Sequence, residues 1–551
     1  FIIMKRIFQF SHCTLHLYRK KIILFSVLSI GSSLISLFNT LLSGRFIDFL
    51  ASPNCVEWKP QLCYYCILFL ATIMISFAIS FALGRIREKL HTMVSYNINR
   101  QMLVHIQQIP FSKTFFLDSS RITQQLQTDS NEIASYCINV IQNVPVSSVR
   151  LITVSVITYQ INKTVFGILL ILAALYIVFF EIFKGKLYNT TREFKNEQAL
   201  FFSKAQEQLR YIKFVKRHGL IDVFINRVDL AFQSLFKTAM HAQIFQYIFS
   251  GIDSMLLALS QIGLFLVGGV AVLNGEMSIG GFTTINVYFS SALGCIRYFF
   301  SLTSSTQNAL VSLNRLMDVA KMQSESDGKQ IVSNIKAIYL QDISLSFDKP
   351  VLKSFNAAFY KGNIYALCGD NGTGKSSVLH LVAGLYNNLY GGNIYFDDFD
   401  IKKLNMNFLR KSLIGFVEQE PQLLADKIIS NLYPYNINEN YEPEEIDAAI
   451  YYINKLGMND WLDKCCDGLN TYINEKSDNI SGGEKQKLSI IRELLKKPLV
   501  LLLDEPTSAM DADSINTFFE LLNAIKNDTI IIIATHDSRA LHYCDSIVPL
   551  K

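Results

Sequence analysis

An all-α membrane domain of six spanning helices followed by an α/β domain is the fold class that this 551-residue sequence predicts. Three observations predict it. Half of the chain is hydrophobic, only 18% is charged and Phe alone numbers 40, and this apolar excess lies almost wholly before about residue 320. Beyond that point, short strand-like runs alternate with helix-like ones. One such run, Leu499–Leu503, ends in the acids Asp504 and Glu505. An unbroken apolar run of that length reads as a strand buried on both faces of a parallel sheet. Open α/β sheets bind ligands at the C-terminal ends of such strands. Length alone requires more than one core. The divisions expected are a membrane domain over 1–320, a linker over 321–337, where Met322–Gln330 is polar and aperiodic, and a second domain over 338–551.

The membrane half opens without a cleavable signal pattern, and Met4 is a candidate start. Lys20 and Lys21 then precede the first long apolar run, a basic flank that favours a cytoplasmic N-terminus. Six spans are expected near 22–48, 61–84, 133–158, 164–183, 243–273 and 279–303, each near the roughly 20 residues that cross a bilayer. Short connections alternate with two long ones, 85–132 and 184–242, which carry most of the Lys and Arg. The positive-inside rule puts both long connections in the cytoplasm. Their apolar residues recur every three or four positions, so they read as helices running on out of the membrane. Cys63 and Cys66 form a C-x-x-C pair near the outer end of the second span, where small buried helix residues are the simpler reading than metal or redox chemistry. Cys465 and Cys466 face the cytosol, where a structural disulfide is not expected.

The second half carries the chemistry. Gly369 to Ser376 fits G-x-x-x-x-G-K-[ST], with the strand-like Ile364–Cys368 before it and the helix-like Ser377–Leu385 after it, the context such a loop requires. Gly372 and Gly374 let the backbone approach phosphates, whose charge is met by loop N–H groups and a helix N-terminus. Gly369, Asn371, Thr373 and Ser377 complete the cradle; Lys375 reaches the β- and γ-phosphates, and Ser376 ligates Mg²⁺. Asp504 is then the second metal carboxylate and Glu505 the candidate base for an attacking water.

A phosphate loop with an acidic strand fits kinases, GTPases and motors as well. Ile480–Gln486, reading Ile-Ser-Gly-Gly-Glu-Lys-Gln, separates them. Here the sequence resembles the ATP-binding cassette (ABC) family, whose signature is close to L-S-G-G-Q. Other motifs of that family follow its order: Gln419 in Phe-Val-Glu-Gln-Glu-Pro, Asp511 in Ser-Ala-Met-Asp, His536 in Ala-Thr-His-Asp, and Phe347 where the family places an aromatic on the adenine. The resemblance implies that Gln419 joins Ser376 and Asp504 at the metal, and that Gln419 and His536 act beside Glu505. It implies that Ser481, Gly482, Gly483 and Asp511 meet the nucleotide of another cassette. The expected cofactors are ATP and Mg²⁺. One cassette per chain implies a homodimer, multi-pass in the cell inner (plasma) membrane and in contact with membrane lipid, with the cassettes in the cytoplasm. Asn474 and Ser477 depart from the glycines of the family's T-x-x-G-E-x-G run, and Glu484 stands for the signature Gln. The chain stops at Lys551 after the strand-like 547–550, where the family usually continues.

Six spans ahead of a cassette resemble an exporter half-transporter, nearest in texture to bacterial microcin and lasso-peptide exporters. The cargo expected on that resemblance is a small peptide, with a lipid, glycolipid or hydrophobic drug as the alternative. Polar residues within spans default to functional candidates. They are Asp253, Gln261, Asn286 and Arg297, with Asn39 and Arg150 as further cases. Hydrogen bonds between helices are the competing explanation. Short helices near 110–117 and 209–219 are the expected contacts to the cassettes. A nucleic-acid-handling ABC ATPase is excluded by the hydropathy, so no nucleic-acid partner is expected. A scaffold with a dead cassette is excluded by the presence of Lys375 and Glu505.

Overall fold

A computed structural model describes residues 2–51, 58–114, 119–325, 327–347, 349–370, 372–387, 389–474 and 479–550. Its first helices are α1 (Ile2–Phe10), α2 (His12–Leu17), α3 (Arg19–Ala51), α4 (Trp58–Gln107), α5 (Phe111–Thr114), α6 (Ser119–Ile161), α7 (Lys163–Arg210), α8 (Ile212–His218), α9 (Ile221–Leu273) and α10 (Ile279–Ala320). The chain forms two compact units: 1–107 with 118–322, and 108–117 with 323–551.

Among the described residues, the secondary structure of the first unit is helix and turn alone. At 50 residues for α4 and 53 for α9, these helices exceed the bilayer by about 30 residues, or about 45 Å at 1.5 Å per residue. Leu70, Ile73, Met74, Phe77 and Phe81 of α4 are exposed, a surface suited to lipid rather than water. Among the described residues, α3, α4, α6, α9 and α10 contain stretches long and apolar enough to cross a membrane. The expected fourth span, 164–183, falls within α7, where several side chains lie outside those described. Helix starts are locally specified: Asn162 accepts the Thr164 and Val165 N–H groups at 2.9 and 3.2 Å, and Ser278 accepts that of Gly281 at 2.9 Å.

Two seams fix the bundle. Gly44 of α3 meets Gly280 of α10 so closely that a Cβ on Gly44 would lie 2.6 Å from the Gly280 carbonyl oxygen. Asp48 adds two bonds there, accepting the Gly280 N–H at 2.6 Å and the Ser278 hydroxyl at 2.8 Å. Tyr288, fully buried, donates to the Leu37 carbonyl at 2.8 Å. In the helical extensions, Ile98, Leu126, Ile133, Leu313 and Leu316 form a core that also buries Ile7 of α1. Asp129 is fully buried beside it and pairs with Arg315 at 2.6 Å.

The second unit adds β1 (Ala337–Ser346), β2 (Pro350–Tyr360), β3 (Ile364–Cys368), α11 (Lys375–Val382), β4 (Tyr390–Phe396), β5 (Phe399–Asp400), α12 (Met406–Ser412), β6 (Ile414–Val417), α13 (Ile428–Leu432), α14 (Pro443–Lys455), α15 (Asn459–Lys464), α16 (Gly482–Leu495), β7 (Val500–Asp504), α17 (Ala512–Ile525), β8 (Ile530–Ala534), α18 (Ser538–Leu541) and β9 (Ser546–Pro549). A parallel sheet has the order β6-β7-β8-β3-β9 and an antiparallel one the order β2-β1-β4-β5. Every residue of β7 and β8 is buried, as runs without polar alternation require. The stretch 321–337, read as a linker, is tied down at Glu325 and Asp327. Asp327 accepts the Met406 and Asn407 N–H groups at 2.9 and 3.0 Å, and Glu325 pairs with Arg410 at 3.2 Å.

Candidate functional site

β3 delivers the chain into the glycine loop, and α11 leaves it. Gly372 and Gly374 have φ of 87° and 94°, the left-handed region where a side chain is strained. At Gly374 a Cβ would also lie 2.8 Å from Val351. The loop is thus a concave backbone surface opening onto the first turn of α11, as a phosphate cradle requires. Lys375 spans it, its Nζ donating to the carbonyls of Gly369 at 2.7 Å and Asp370 at 3.1 Å. Thr373 donates its hydroxyl to the Asp370 carbonyl at 2.9 Å, and Ser377 is half-buried in the first turn of α11. Asn371 lies outside the described residues.

β7 is paired to β8 and brings Asp504 to the end of the sheet. Burial pushes the Asp504 carboxyl above the usual carboxylate range, against the pull of the neighbouring Ser376 hydroxyl and of Lys375. A hydroxyl and a carboxylate converging beside the phosphate loop are the donor set that hard divalent cations take. Glu505 follows at φ 47°, a conformation costing about 1–2 kcal/mol for a residue with a Cβ. Its N–H bonds Ala534 at 2.8 Å. One carboxylate oxygen meets His536 Nδ1 at 2.8 Å and the other accepts Gln419 Nε2–H at 3.0 Å. Gln419, Glu505 and His536, far apart in sequence, form one hydrogen-bonded chain beside Asp504. Such a carboxylate, oriented from both sides, is equipped to take a proton from water.

Phe347 is 48% exposed and meets the Tyr386 ring edge-on at 5.4 Å. Ser481 caps α16: its hydroxyl accepts the Glu484 N–H at 3.4 Å, and Glu484 accepts the Ser481 N–H at 2.7 Å. This capping box accounts for an acid in the signature. Gly482 is exposed, and a Cβ on Gly483 would lie 2.8 Å from the Ala509 carbonyl. Asp511 caps α17, accepting the Ser514 N–H at 3.3 Å, and the Ser514 side chain holds its carboxyl below the usual range. Among the described residues no hydrogen bond joins 481–484 to 369–377.

Sequence reasoning missed Arg492 and Asn431. Arg492 donates to the carbonyls of Asn431 at 2.7 Å and Gln422 at 3.2 Å, and buried Asn431 bonds both backbone groups of Leu424. Together they clamp the chain that follows Gln419. The signal was a buried-type polar side chain within an apolar helix.

In the membrane domain, Asn39 and Asn286 each hold a buried side-chain oxygen without a hydrogen-bond partner among the described residues. Gln261 is exposed on α9, and Arg297 is half-buried on α10. Arg150 donates to Ser33 at 3.0 Å. The side chain of Asp253 lies outside the described residues.

These arrangements define a phosphate-loop nucleotide hydrolase joined to a bundle of membrane helices. The chain belongs to the ABC transporter family: the family model for the ABC transporter transmembrane region matches residues 22–295, and that for the ABC transporter cassette matches 352–508. It has the membrane region and the cassette of an ABC exporter, is multi-pass in the membrane with a cytoplasmic cassette, and couples ATP hydrolysis to transport. It is 26% identical to the ATP-dependent lipid A-core flippase of Mannheimia succiniciproducens over 86% of this chain and 80% of that protein. It is also 26% identical to ABC transporter B family member 1 of Dictyostelium discoideum over 79% of this chain, which spans under half (46%) of that longer protein. A solved bacterial Atm1-family ABC exporter with ATP bound shares the fold at a TM-score of 0.86, covering 97% of this chain and 94% of that one at 16% identity.

Proposed function

We propose that two copies of this chain form the working exporter and that its cargo is a lipid-like amphiphile with an anionic head. The observation that carries the catalytic reading is the Gln419–Glu505–His536 chain beside Asp504. Glu505 takes the proton of the attacking water; His536 and Gln419 hold its two oxygens in place. Ser376 and Asp504, with Gln419, would hold Mg²⁺, which when bound neutralises charge on the β- and γ-phosphates. Lys375 exchanges its two loop carbonyls for phosphate oxygens, and Phe347 stacks on the base. Ser481, Gly482 and Gly483 share no hydrogen bond with the phosphate loop of their own chain among the described residues, so a second copy presents them to the nucleotide.

The cargo reading departs from the peptide expected from the sequence. The flippase relative's name states a lipid A-core cargo, which favours the lipid alternative. Arg150 and Arg297 add two cations within α6 and α10.

The test uses protein reconstituted in vesicles, with ATPase stimulation measured against an anionic glycolipid and against an uncharged peptide. The glycolipid is expected to stimulate. Arg297→Ala is expected to raise its half-saturating concentration about tenfold, the loss of one charge-assisted bond, at unchanged expression and basal ATPase. Stimulation by the peptide alone would overturn the lipid reading. Poor expression of Arg297→Ala rescued by Asp253→Asn would make Arg297 a structural partner of α9 instead.

A further inference from the structure

Gln419 stands two residues beyond the end of β6, where the chain leaves the parallel sheet. From there towards α13 the stretch 418–426 belongs to neither helix nor strand. Gln419, Gln422, Leu424 and Ala425 are exposed. A stretch without ladder bonds keeps one conformation only where other groups hold its backbone. The Gln419 amide meets Glu505 at 3.0 Å, a contact that requires the chain carrying it to be fixed.

Two consecutive residues of α16 supply that hold, one on each side of Gln419. Before it, buried Glu493 accepts the Phe416 N–H at 3.4 Å, and Lys496 pairs with the Glu493 carboxylate at 2.6 Å. After it, Arg492 donates to the Gln422 carbonyl at 3.2 Å and, through Nε, to the Asn431 carbonyl at 2.7 Å. Its remaining nitrogen donates to Asn431 Oδ1 at 3.4 Å. Asn431 lies fully buried in α13 and bonds the N–H and carbonyl of Leu424 at 2.7 and 3.0 Å. Among the described residues, the Gln422 bond is the backbone tie nearest to Gln419 on its C-terminal side. The Tyr472 hydroxyl and the Ile473 N–H hold Ala425 and Asp426 only further on, at 2.7 and 2.8 Å. A guanidinium suits this place, because its planar fork reaches the buried helix and the exposed stretch at once.

We propose that Arg492 is a positioning residue for ATP hydrolysis: by pinning Gln422 and Asn431 to α16 it holds Gln419 against the Glu505 carboxylate. The proposal rests on the reading of Glu505 as the base. Arg492 meets no reacting atom and acts through Gln419. With Gln422 released, the Gln419 amide leaves Glu505, and His536 alone orients the carboxylate. A misplacement of about 1 Å can cost about a hundredfold in rate.

The experiment uses the full chain in lipid nanodiscs. The kcat and KM for ATP hydrolysis are measured for Gln419→Ala, for Arg492→Gln and for the two together, with a thermal melt of each. Each single variant is expected to lower kcat about tenfold and to leave KM within about twofold. In the double variant, Arg492→Gln is expected to add less than about a twofold loss to that of Gln419→Ala, because nothing is left for it to position. Arg492→Lys keeps the charge without the fork, and its kcat is expected to fall between the parent and Arg492→Gln. It takes the place of Arg492→Gln in the cycle should that variant fail to fold. Losses that multiply in the double variant, or an effect confined to KM or to the melting temperature, overturn the positioning role and leave Arg492 a structural residue. Full turnover in Arg492→Gln beside a slowed Gln419→Ala overturns it too. Full turnover in Gln419→Ala overturns instead the reading of Gln419 at Glu505, and the proposal falls with it.

Discussion

Glu505→Gln is expected to lower ATP hydrolysis by about 10²–10⁴-fold, the range a general base contributes, while nucleotide still binds. The substitution is isosteric. The amide can still meet His536 and Gln419, which hold the two carboxylate oxygens at 2.8 and 3.0 Å, so the local fold survives and only proton acceptance is lost. Asp504 and Lys375 stay in place to hold metal and phosphates. On the proposed two-copy site, unhydrolysed ATP should also hold two chains together. Three measurements check this: phosphate release, nucleotide retained after gel filtration, and mass in detergent with the detergent subtracted. A variant that keeps most of its turnover removes Glu505 as the base. A nucleotide-loaded monomer removes the two-copy site.

Arg315→Met is expected to destabilise the membrane unit by about 3–5 kcal/mol, the usual consequence of leaving one member of a buried pair alone. Asp129 has no exposed surface, and its pairing with Arg315 at 2.6 Å, with Ser312 alongside, ties α6 to α10. The pair as a whole contributes little net stability, since burial strips Asp129 of water while the Arg315 side chain stays half exposed. Asp129→Asn in the same chain should therefore return most of the loss. The two tryptophans make this readable: Trp58 lies in α4 and Trp461 in α15. In a Trp461→Phe background, the fluorescence melt reports α4. A shift equivalent to less than about 0.5 kcal/mol for Arg315→Met, the range of surface changes, would show that water already meets the Asp129 carboxylate.

Much of this architecture was legible because burial writes itself into local pattern. Ile364–Cys368 was read as a strand and is one, since nothing polar interrupts its buried run. The two long basic connections were read as helices leaving the membrane, and short helices stand at 111–114 and 212–218 where contacts to the cassettes were expected. Features that depend on distant partners were not legible. The stretch 321–337 reads as a linker because Asp327 finds its partners some 80 residues away, at Met406 and Asn407. The antiparallel sheet was missed because β1 is paired irregularly: Asp342 and Ser354 take φ of 51° and 48°, and the register shifts around them. At the site, the motif order named Gln419, Glu505 and His536 as candidates, but nothing local indicated that one carboxylate would be bonded from both sides. Glu484 was legible in retrospect, since S-x-x-E before a helix specifies a capping box. The peptide cargo was a guess from texture, which carries no physical pattern of its own.

The seam at Gly44 and Gly280 has a mechanical consequence. Backbone touches backbone there, Asp48 bolts the joint with two short bonds, and Tyr288 fastens it again one stretch further along. Side-chain interfaces can slip by a rotamer; where the two glycines meet there is no side chain to turn. α3 and α10 therefore behave as a single beam, and the flexure of a transport cycle falls on other seams of the bundle. Spin labels at Ser43 and Val287, both exposed on these helices, should hold one distance with and without nucleotide. Two distances would mean that the beam hinges.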